Sequence, residues 1–374
     1  MTPTTRDMNG SKELFVALEL ASKSWKLAFA KDLAAPRVRS ICAGDMVAFE
    51  TEVKAGKTRL GLAPDAPVRC CYEAGRDGFW LHRWLIGHGY ENIVVDPASI
   101  EVDRRQRKRK TDRLDAIKLV SRLARHHWGE KVWSVVRVPT PEMEDRRRSV
   151  RERERLVRER TQHQARLRGL LATQGMRVER LRDAPGAIRV CDGYPLPARL
   201  GEEVRRELER LELVARQLAE VEKGLAQEVA SSDVVGERTQ RLARLKSVGL
   251  VASSVLGLEF LWRDFRNRRE VAAAVGLTGT PHQSGEMSHE QGVSKAGNRR
   301  VRAVIIEIAW VWLRYQPDSG LSRWFQARFG SAQGRMRRIG IVALARRLVI
   351  ALWRFATQGI IPDGAVLKPA ESLS

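Results

Sequence analysis

Five side chains of this 374-residue chain have types and settings suited to chemistry. They are Glu19 in FVALELASKSWKLAFA, Glu73 in VRCCYEAGRDGFWLHRWL, the pair Asp112 and Asp115 in KRKTDRLDAIKL, and Ser284 in PHQSGEMSHEQGVSKAGNRR. An acid inside an apolar, strand-like run is costly if buried without a partner, which sets Glu19 apart. Glu73 closes a second such run. Asp112 and Asp115 are three apart, so on a helix they share a face, and two anions side by side repel unless a cation lies between them. Hard divalent ions suit oxygen ligands, and Mg²⁺ is commonly held by one or two carboxylates plus phosphate and water. Taken alone, D-R-L-D also fits simple pairing with Lys110, Arg113 and Lys118. The four acids together point to a metal site for phosphodiester chemistry, with Mg²⁺ as the ion and Mn²⁺ as its substitute.

A serine hydroxyl is a poor nucleophile until a base or a metal activates it. Ser284 stands in Q-S-G, where the glycine lets backbone approach a ligand closely. Ser288 and Ser294 are nearby competitors, and His282 and His289 flank the site as candidate bases. A loop serine is also an ordinary turn or capping residue.

The surroundings are basic: 67 Lys and Arg against 45 Asp and Glu give a formal net charge of +22. A field of that sign and size favours polyanions, and Arg forks onto phosphate oxygens. One basic run, Arg104, Arg105, Arg107, Lys108, Arg109 and Lys110, precedes the aspartate pair; a second group, Lys295, Asn298, Arg299 and Arg300, opens a helix. Both read as nucleic-acid contacts, the second through helix N–H groups as well as cations. Trp80, Trp84, Trp128 and Trp133 offer either stacking faces or core. The four cysteines form no C-x-x-C pair, which argues against zinc and for a reducing, cytoplasmic, nucleoid-associated setting. No signal peptide is expected, and AVIIEIAWVWL and IGIVALARRLVIALW, interrupted by Glu307 and by Arg346–Arg347, read as buried helices rather than membrane spans.

The elements that must position these residues follow from periodicity. LFVALEL, WKLAFAKDL, PVRCCYEA and NIVVDP read as strands; GFWLHRWLIGHGY and TDRLDAIKLVSRLARHH read as helices, the latter with a Thr or Asp cap. The expected order is strand, strand, strand, helix, strand, helix, an α/β domain over 12–138 after a flexible 1–11. Residues 139–238 form a charged helical region in which Leu211, Leu218 and Leu225 recur every seven with Val214 and Val221 between them, a coiled-coil pattern whose partner lies in cis or in trans. Residues 239–360 form a helical unit with a long polar loop at TGTPHQSGEMSHEQGVSKAG, and 361–374 reads as a loose tail.

With these motifs in order, the chain resembles the DEDD-type transposases of the insertion-sequence one-ten family, the bridge-RNA-guided recombinases. One block, 14–125, carries the first-strand acid, Y-E-A-x-x-x-G-F-W-L-x-x-x-L and K-T-D-R-x-D-A; the other, 240–316, carries A-x-x-x-G-L-T-x-x-x-x-Q-S-G and S-K-x-G-N-R. The resemblance implies an RNase H-like (RuvC-like) N-terminal domain, a helical coiled-coil middle and a helical C-terminal transposase domain. It implies that Glu19, Glu73, Asp112 and Asp115 bind the metal and that Ser284 attacks DNA. It further implies that the protein is a dimer or tetramer acting on element-end and target DNA under a structured guide RNA. The first family acid is normally Asp, and Glu19 replaces it; of the family's P-G-[IV]-G hairpin only Gly249 remains. Two other readings are a RuvC-like nuclease in which water attacks, and a non-catalytic nucleic-acid-binding descendant of a transposase.

Overall fold

The computed structural model describes residues 12–31, 35–100, 111–176, 195–284 and 287–369, without the side chains of 280–291. The basic run Arg104, Arg105, Arg107, Lys108, Arg109 and Lys110 lies outside the described residues. The chain divides into two compact units, one ending at Pro139 and one beginning at Thr140.

The first unit is built on a five-stranded sheet of order β3-β2-β1-β4-β5. Strands β1 (Leu14–Leu20), β2 (Ser24–Ala30) and β3 (Arg37–Cys42) are antiparallel neighbours. Strands β4 (Val68–Glu73) and β5 (Glu91–Val95) extend the sheet in parallel with β1. Because side chains alternate along a strand, β1 is divided between two cores. Leu14, Val16 and Leu18 meet α1 (Met46–Arg59) and α2 (Trp80–Gly87); Phe15 and Ala17 meet α3 (Asp112–His127). Burial on both faces is why LFVAL is continuously apolar rather than alternating.

Two elements were missing from the expected order: β3 and α1. RVRSIC is an edge strand that buries only Ile41, and its two arginines guard the exposed edge. Helix α1 buries only Phe49, Val53 and Gly56, and its start is fixed by the Asp45 carboxylate accepting from the Ala48 N–H at 2.9 Å. Both carry too few apolar residues for periodicity to reveal.

The second unit opens with a helical hairpin, α4 (Pro141–Ala172) and α5 (Ala198–Val229). Arg146 pairs with Glu228 at 2.6 Å, Arg153 with Glu222 at 2.7 Å and His163 with Glu207 at 2.6 Å, so the helices run antiparallel. The heptad leucines therefore find a partner in cis: Leu211 packs with Leu167 and Leu171, and Leu218 with Leu156. The remaining elements are α6 (Val234–Ala243), α7 (Leu250–Glu259), α8 (Arg268–Ala274), the strands β6 (Gly279–Ser284) and β7 (Met287–Val293), α9 (Arg299–Tyr315), α10 (Gly320–Phe329) and α11 (Gly334–Gln358). Their shared core includes Val271, Val301, Ile305, Trp312, Phe325 and Leu348.

Two expectations are corrected here. The long polar loop is a β-hairpin, β6–β7, in which Ser284 pairs with Met287. The tail is anchored up to Pro369: Leu367 bridges to Leu245, Gln316 exchanges hydrogen bonds with Val366, and the Lys368 ammonium donates to the carbonyls of Ala243 and Val248 at 2.8 and 2.7 Å. Among the described residues no helix is long and apolar enough to cross a membrane.

Candidate active site

Three elements of the first unit bring the predicted acids to one edge. The β1–β4 register ends at Leu18 opposite Tyr72, which makes Glu19 and Glu73 the next pair on strands about 4.8 Å apart. Both share the face of Ala17 and Cys71, against which α3 packs. That face carries the small residues Ala17, Ala28, Ala30 and Cys71 beside the larger Phe15 and Val95, while the opposite face carries Leu14, Val16, Leu18, Leu27 and Phe29. Small side chains let α3, with its own Ala116 and Ala124 buried, approach the strands closely.

The direction of α3 decides where its aspartates lie. At its C-terminal end the His127 ring stands 5.5 Å from Phe15, the Trp128 ring 6.2 Å from Phe15, and His127 Nε2 3.3 Å from the Glu13 carboxylate. The end of the helix is thus fixed at the beginning of β1, and its first turn, with Asp112 and Asp115, lies toward the end of β1 that carries Glu19. Thr111 starts the helix by accepting from the Leu114 N–H at 3.3 Å. Anions in that first turn complement the helix dipole as well as facing the strand acids. Asp112 is exposed and Asp115 half-buried, directly before the buried Ala116.

A cation that the sequence reading missed stands in the same row. Lys26 is the register partner of Glu19 across the β1–β2 hairpin, and its ammonium donates to Ser40 Oγ at 2.9 Å. Counting the hairpin register from the three-residue turn Ala21–Lys23 would have found it. The four acids are hard oxygen donors and suit a divalent cation in chemistry. Among the described residues no three His, Cys, Asp or Glu side chains are already drawn together as a metal-holding group.

In the second unit, Ser284 is the last residue of β6. His282 and His289 are register partners, as are Gln283 and Ser288; these side chains lie outside the description. Ser294 has a structural role at the base of the hairpin, where its N–H donates to the Thr278 carbonyl at 2.9 Å and its hydroxyl meets that of Thr278 at 3.3 Å.

The turn that leads into α9 is held tightly. Gly276 and Gly297 have φ of +66° and +91°, and a Cβ on either would overlap a backbone carbonyl, that of Ala296 or that of Ala274. Lys295 is left-handed at φ +56°, and is held there by its N–H on the Gly276 carbonyl and by Arg302 on its own carbonyl at 2.9 Å. Asn298 caps α9, its side-chain oxygen accepting from the N–H groups of Arg300 and Val301 at 3.0 and 3.2 Å. Its amide also donates to the Glu259 carboxylate at 3.1 Å. Arg300 pairs with Glu154 of α4 at 2.5 Å. Of the four predicted phosphate contacts here, Asn298 and Arg300 thus have partners inside the fold, while Lys295 and Arg299 are exposed.

Glu259 is the second residue that the sequence reading missed. It is 5% exposed at the end of α7 and receives Arg151 at 2.6 and 3.2 Å through both carboxylate oxygens. Burial pushes its pKa up, but the hydrogen bonds and charge of Arg151, the charge of Arg147 and the Asn298 amide outweigh that and hold the carboxyl below its ordinary value. Beside it, burial lowers the Arg147 guanidinium to about 10. Arg147 donates to the Leu258 carbonyl at 3.1 Å and lies 4.2 Å over the Trp262 ring.

Comparison with known proteins follows the same two blocks. A transposase family model of the DEDD type matches residues 50–174, which include Glu73, Asp112 and Asp115. A model described as Transposase IS116/IS110/IS902 family matches 239–322, which include Ser284 and the turn into α9. The chain is 42% identical to the Sinorhizobium fredii (strain NBRC 101917 / NGR234) protein named as transposase y4rJ, over 95% of this chain and 94% of that one. It is 26% identical to a second protein of that strain, named as transposase y4qE, over 93% and 89%. It is also 26% identical to the transposase for insertion sequence element IS1111A of Coxiella burnetii, over 74% of each chain.

Proposed function

The chain belongs to the IS116/IS110/IS902 transposase family, and from that premise we propose that it cuts and rejoins DNA strands through a serine–phosphate intermediate assembled beside a carboxylate-bound metal. Transposition requires DNA as substrate, and the DEDD-type domain implies metal-dependent catalysis. The observation that carries the finer reading is the convergence of the ends of β1 and β4 with the first turn of α3, which brings Glu19, Glu73, Asp112 and Asp115 to one sheet edge.

In this reading the four acids hold Mg²⁺, which when bound orients the scissile phosphate and neutralises charge developing on it. Lys26, opposite Glu19, limits repulsion between the strand carboxylates before the ion arrives. The Ser284 hydroxyl attacks phosphorus; a P–Oγ bond forms, the P–O bond to the leaving strand breaks, and the leaving oxygen takes a proton. A hydroxyl of the incoming strand then attacks the phosphoserine, restoring a phosphodiester and free serine. One ester is exchanged for another at each step, so no external energy source is needed. The net charge of +22 supports binding of polyanions, both the DNA and the guide RNA that the family resemblance implies. The exposed Lys295 and Arg299 are the phosphate contacts of the turn, with Asn298 and Arg300 keeping its shape. A dimer or tetramer would bring the acids of one copy and the serine of another to two duplexes.

The test is incubation of the protein with element-end DNA, RNA from its own locus and Mg²⁺, followed by denaturing electrophoresis. A protein–DNA adduct that disappears in Ser284→Ala and in Asp112→Ala is expected. Cleavage that survives Ser284→Ala would refute the serine role and leave water as the attacking group.

A further inference from the structure

The second unit carries a groove that the acids, the serine and the turn into α9 do not use. It has a volume of about 660 Å³ and lies between α10, α11 and the open end of the β6–β7 hairpin, where Gly279, Gly292 and Val293 line it. Its floor is apolar, from Leu277, Val342 and Ile350, and its rim carries Arg335, Arg338, Arg346 and Arg347; among the described residues no Asp or Glu lines it. The Arg347 guanidinium carbon lies 4.1 Å from the centroid of the Trp324 ring, and Ile339, which also lines the groove, is 46% exposed.

We infer that this groove binds a single DNA strand next to the scissile phosphate, with its phosphates on the arginine rim and an unstacked base on the Arg347–Trp324 pair. This rests on the proposed function and names the path of its substrate. Arg335, Arg338 and Arg346 recur on one side of α11 over twelve residues, a row of cations about 16 Å long. Arginine forks grip phosphate oxygens, and guanidinium and indole planes accept stacked bases irrespective of sequence. A pocket of this volume has room for a base and its sugar. An apolar floor alone would suit many partners; a floor rimmed by four arginines suits a polyanion with flat apolar faces.

The commitment to DNA comes from the hairpin. Gly279 lines the groove and Ser284 closes the same strand five residues on, about 17 Å away, so a strand in the groove lies within a few nucleotides of the serine that the proposed chemistry directs at DNA. Gly292 has φ +89°, and Cβ positions built at Gly279 and at Gly292 meet nothing within 4 Å, so the hairpin base leaves space open where a backbone would pass.

The experiment is fluorescence anisotropy of the full chain with a short fluorescein-labelled single-stranded DNA, and with RNA of the same sequence, across a salt series. The variants are Arg335→Gln/Arg338→Gln/Arg346→Gln, Ile339→Glu, and a charge-matched control at the solvent-accessible Arg59, Arg125 and Arg205. Losing three phosphate contacts lowers the slope of log K against log salt by about 2 for DNA, and Ile339→Glu weakens DNA binding about tenfold. The control keeps the parental slope. Light scattering accompanies each sample. A groove triple that behaves like the control overturns the inference, as does loss confined to RNA, or an Ile339→Glu protein whose mass changes while its DNA binding does not. If the groove variants bind normally and the parent still forms the serine adduct, this inference alone fails; if the slope falls as expected but no adduct forms in any mixture, the proposed chemistry alone fails.

Discussion

Replacing Glu259 by Gln should destabilise the second unit by about 3 kcal/mol at neutral pH. The carboxylate is almost fully enclosed, accepts two hydrogen bonds from Arg151 and one from Asn298, and lies beside the buried Arg147. Removing one partner of a buried pair costs about 3–5 kcal/mol because the other charge loses its counter-charge. The low end applies because Arg151 is 37% exposed and can turn to water; Arg147, 7% exposed, cannot. The pH dependence has a fixed sign. The folded pKa of Glu259 lies below its ordinary value of 4.5, so the native state favours the ionised form. The stabilisation is complete above pH 4.5 and is lost as the pH falls through the folded pKa. Urea unfolding of parent and Glu259→Gln from pH 7 down to pH 3 should show a gap in midpoint that is constant to about pH 5 and closes below it. Adding Arg151→Ala to Glu259→Gln should cost less than the sum of the single changes. A gap under 1 kcal/mol, or one that does not close in acid, would refute the view that this ion pair holds α4, α7 and the start of α9 together.

Glu19→Gln and Asp112→Asn should each lower adduct formation by more than the roughly 10–100-fold typical of losing a metal's outer partners, leaving the urea midpoint within about 0.5 kcal/mol, as checked on the same preparations. Ala17→Leu should cost about 1–3 kcal/mol and, by lifting α3 from the sheet, raise the Mg²⁺ concentration needed for half-maximal adduct; an unchanged requirement would show that close docking of α3 is irrelevant to the acids. Gly297→Ala should cost at least about 1–2 kcal/mol, because φ is +91° and the new methyl would overlap the Ala274 carbonyl, measured by the same urea melt. In a Cys191→Ser background only Cys42 should react quickly with a thiol reagent, since burial pushes the Cys70 and Cys71 thiols up and closes access; mass spectrometry of the labelled native and urea-unfolded chains counts the sites.

What the sequence made legible depended on how strongly each element's burial was written in its residues. LFVALEL, buried on two faces, announced β1 to its ends, and TDRLDAIKL announced α3 with its Thr111 cap. RVRSIC and the helix after Asp45 did not, because an edge strand and a weakly buried helix need few apolar residues. The β6–β7 hairpin was read as loop because TGTPHQSGEMSHEQG has neither β-branched alternation nor a two-residue Asn-Gly turn; its pairing rests on backbone hydrogen bonds. Heptads showed that α5 needs a partner, and only the ion pairs with α4 identified it. The reasoning that singled out Glu19, an acid within an apolar run, applied equally to Glu259 in VLGLEF, where it was not used. There the reason for the acid is structural, a two-oxygen grip on Arg151.

That contrast sharpens the argument about the four acids, because an acid in an apolar run is not by itself a sign of chemistry. Glu259 ends a helix in the middle of a core and is bound on two sides by groups of its own unit. Glu19 and Glu73 lie instead at the carboxyl ends of two adjacent parallel strands, the position at which open α/β sheets receive ligands. The side of the sheet they share carries Ala17, Ala28, Ala30 and Cys71 beside Phe15 and Val95, whereas the opposite face fills its core with Leu, Val and Phe. The effect of the small residues is to let α3 dock closely. Running α3 antiparallel to β1 and starting it with two aspartates puts its anionic first turn at the same sheet edge as Glu19 and Glu73.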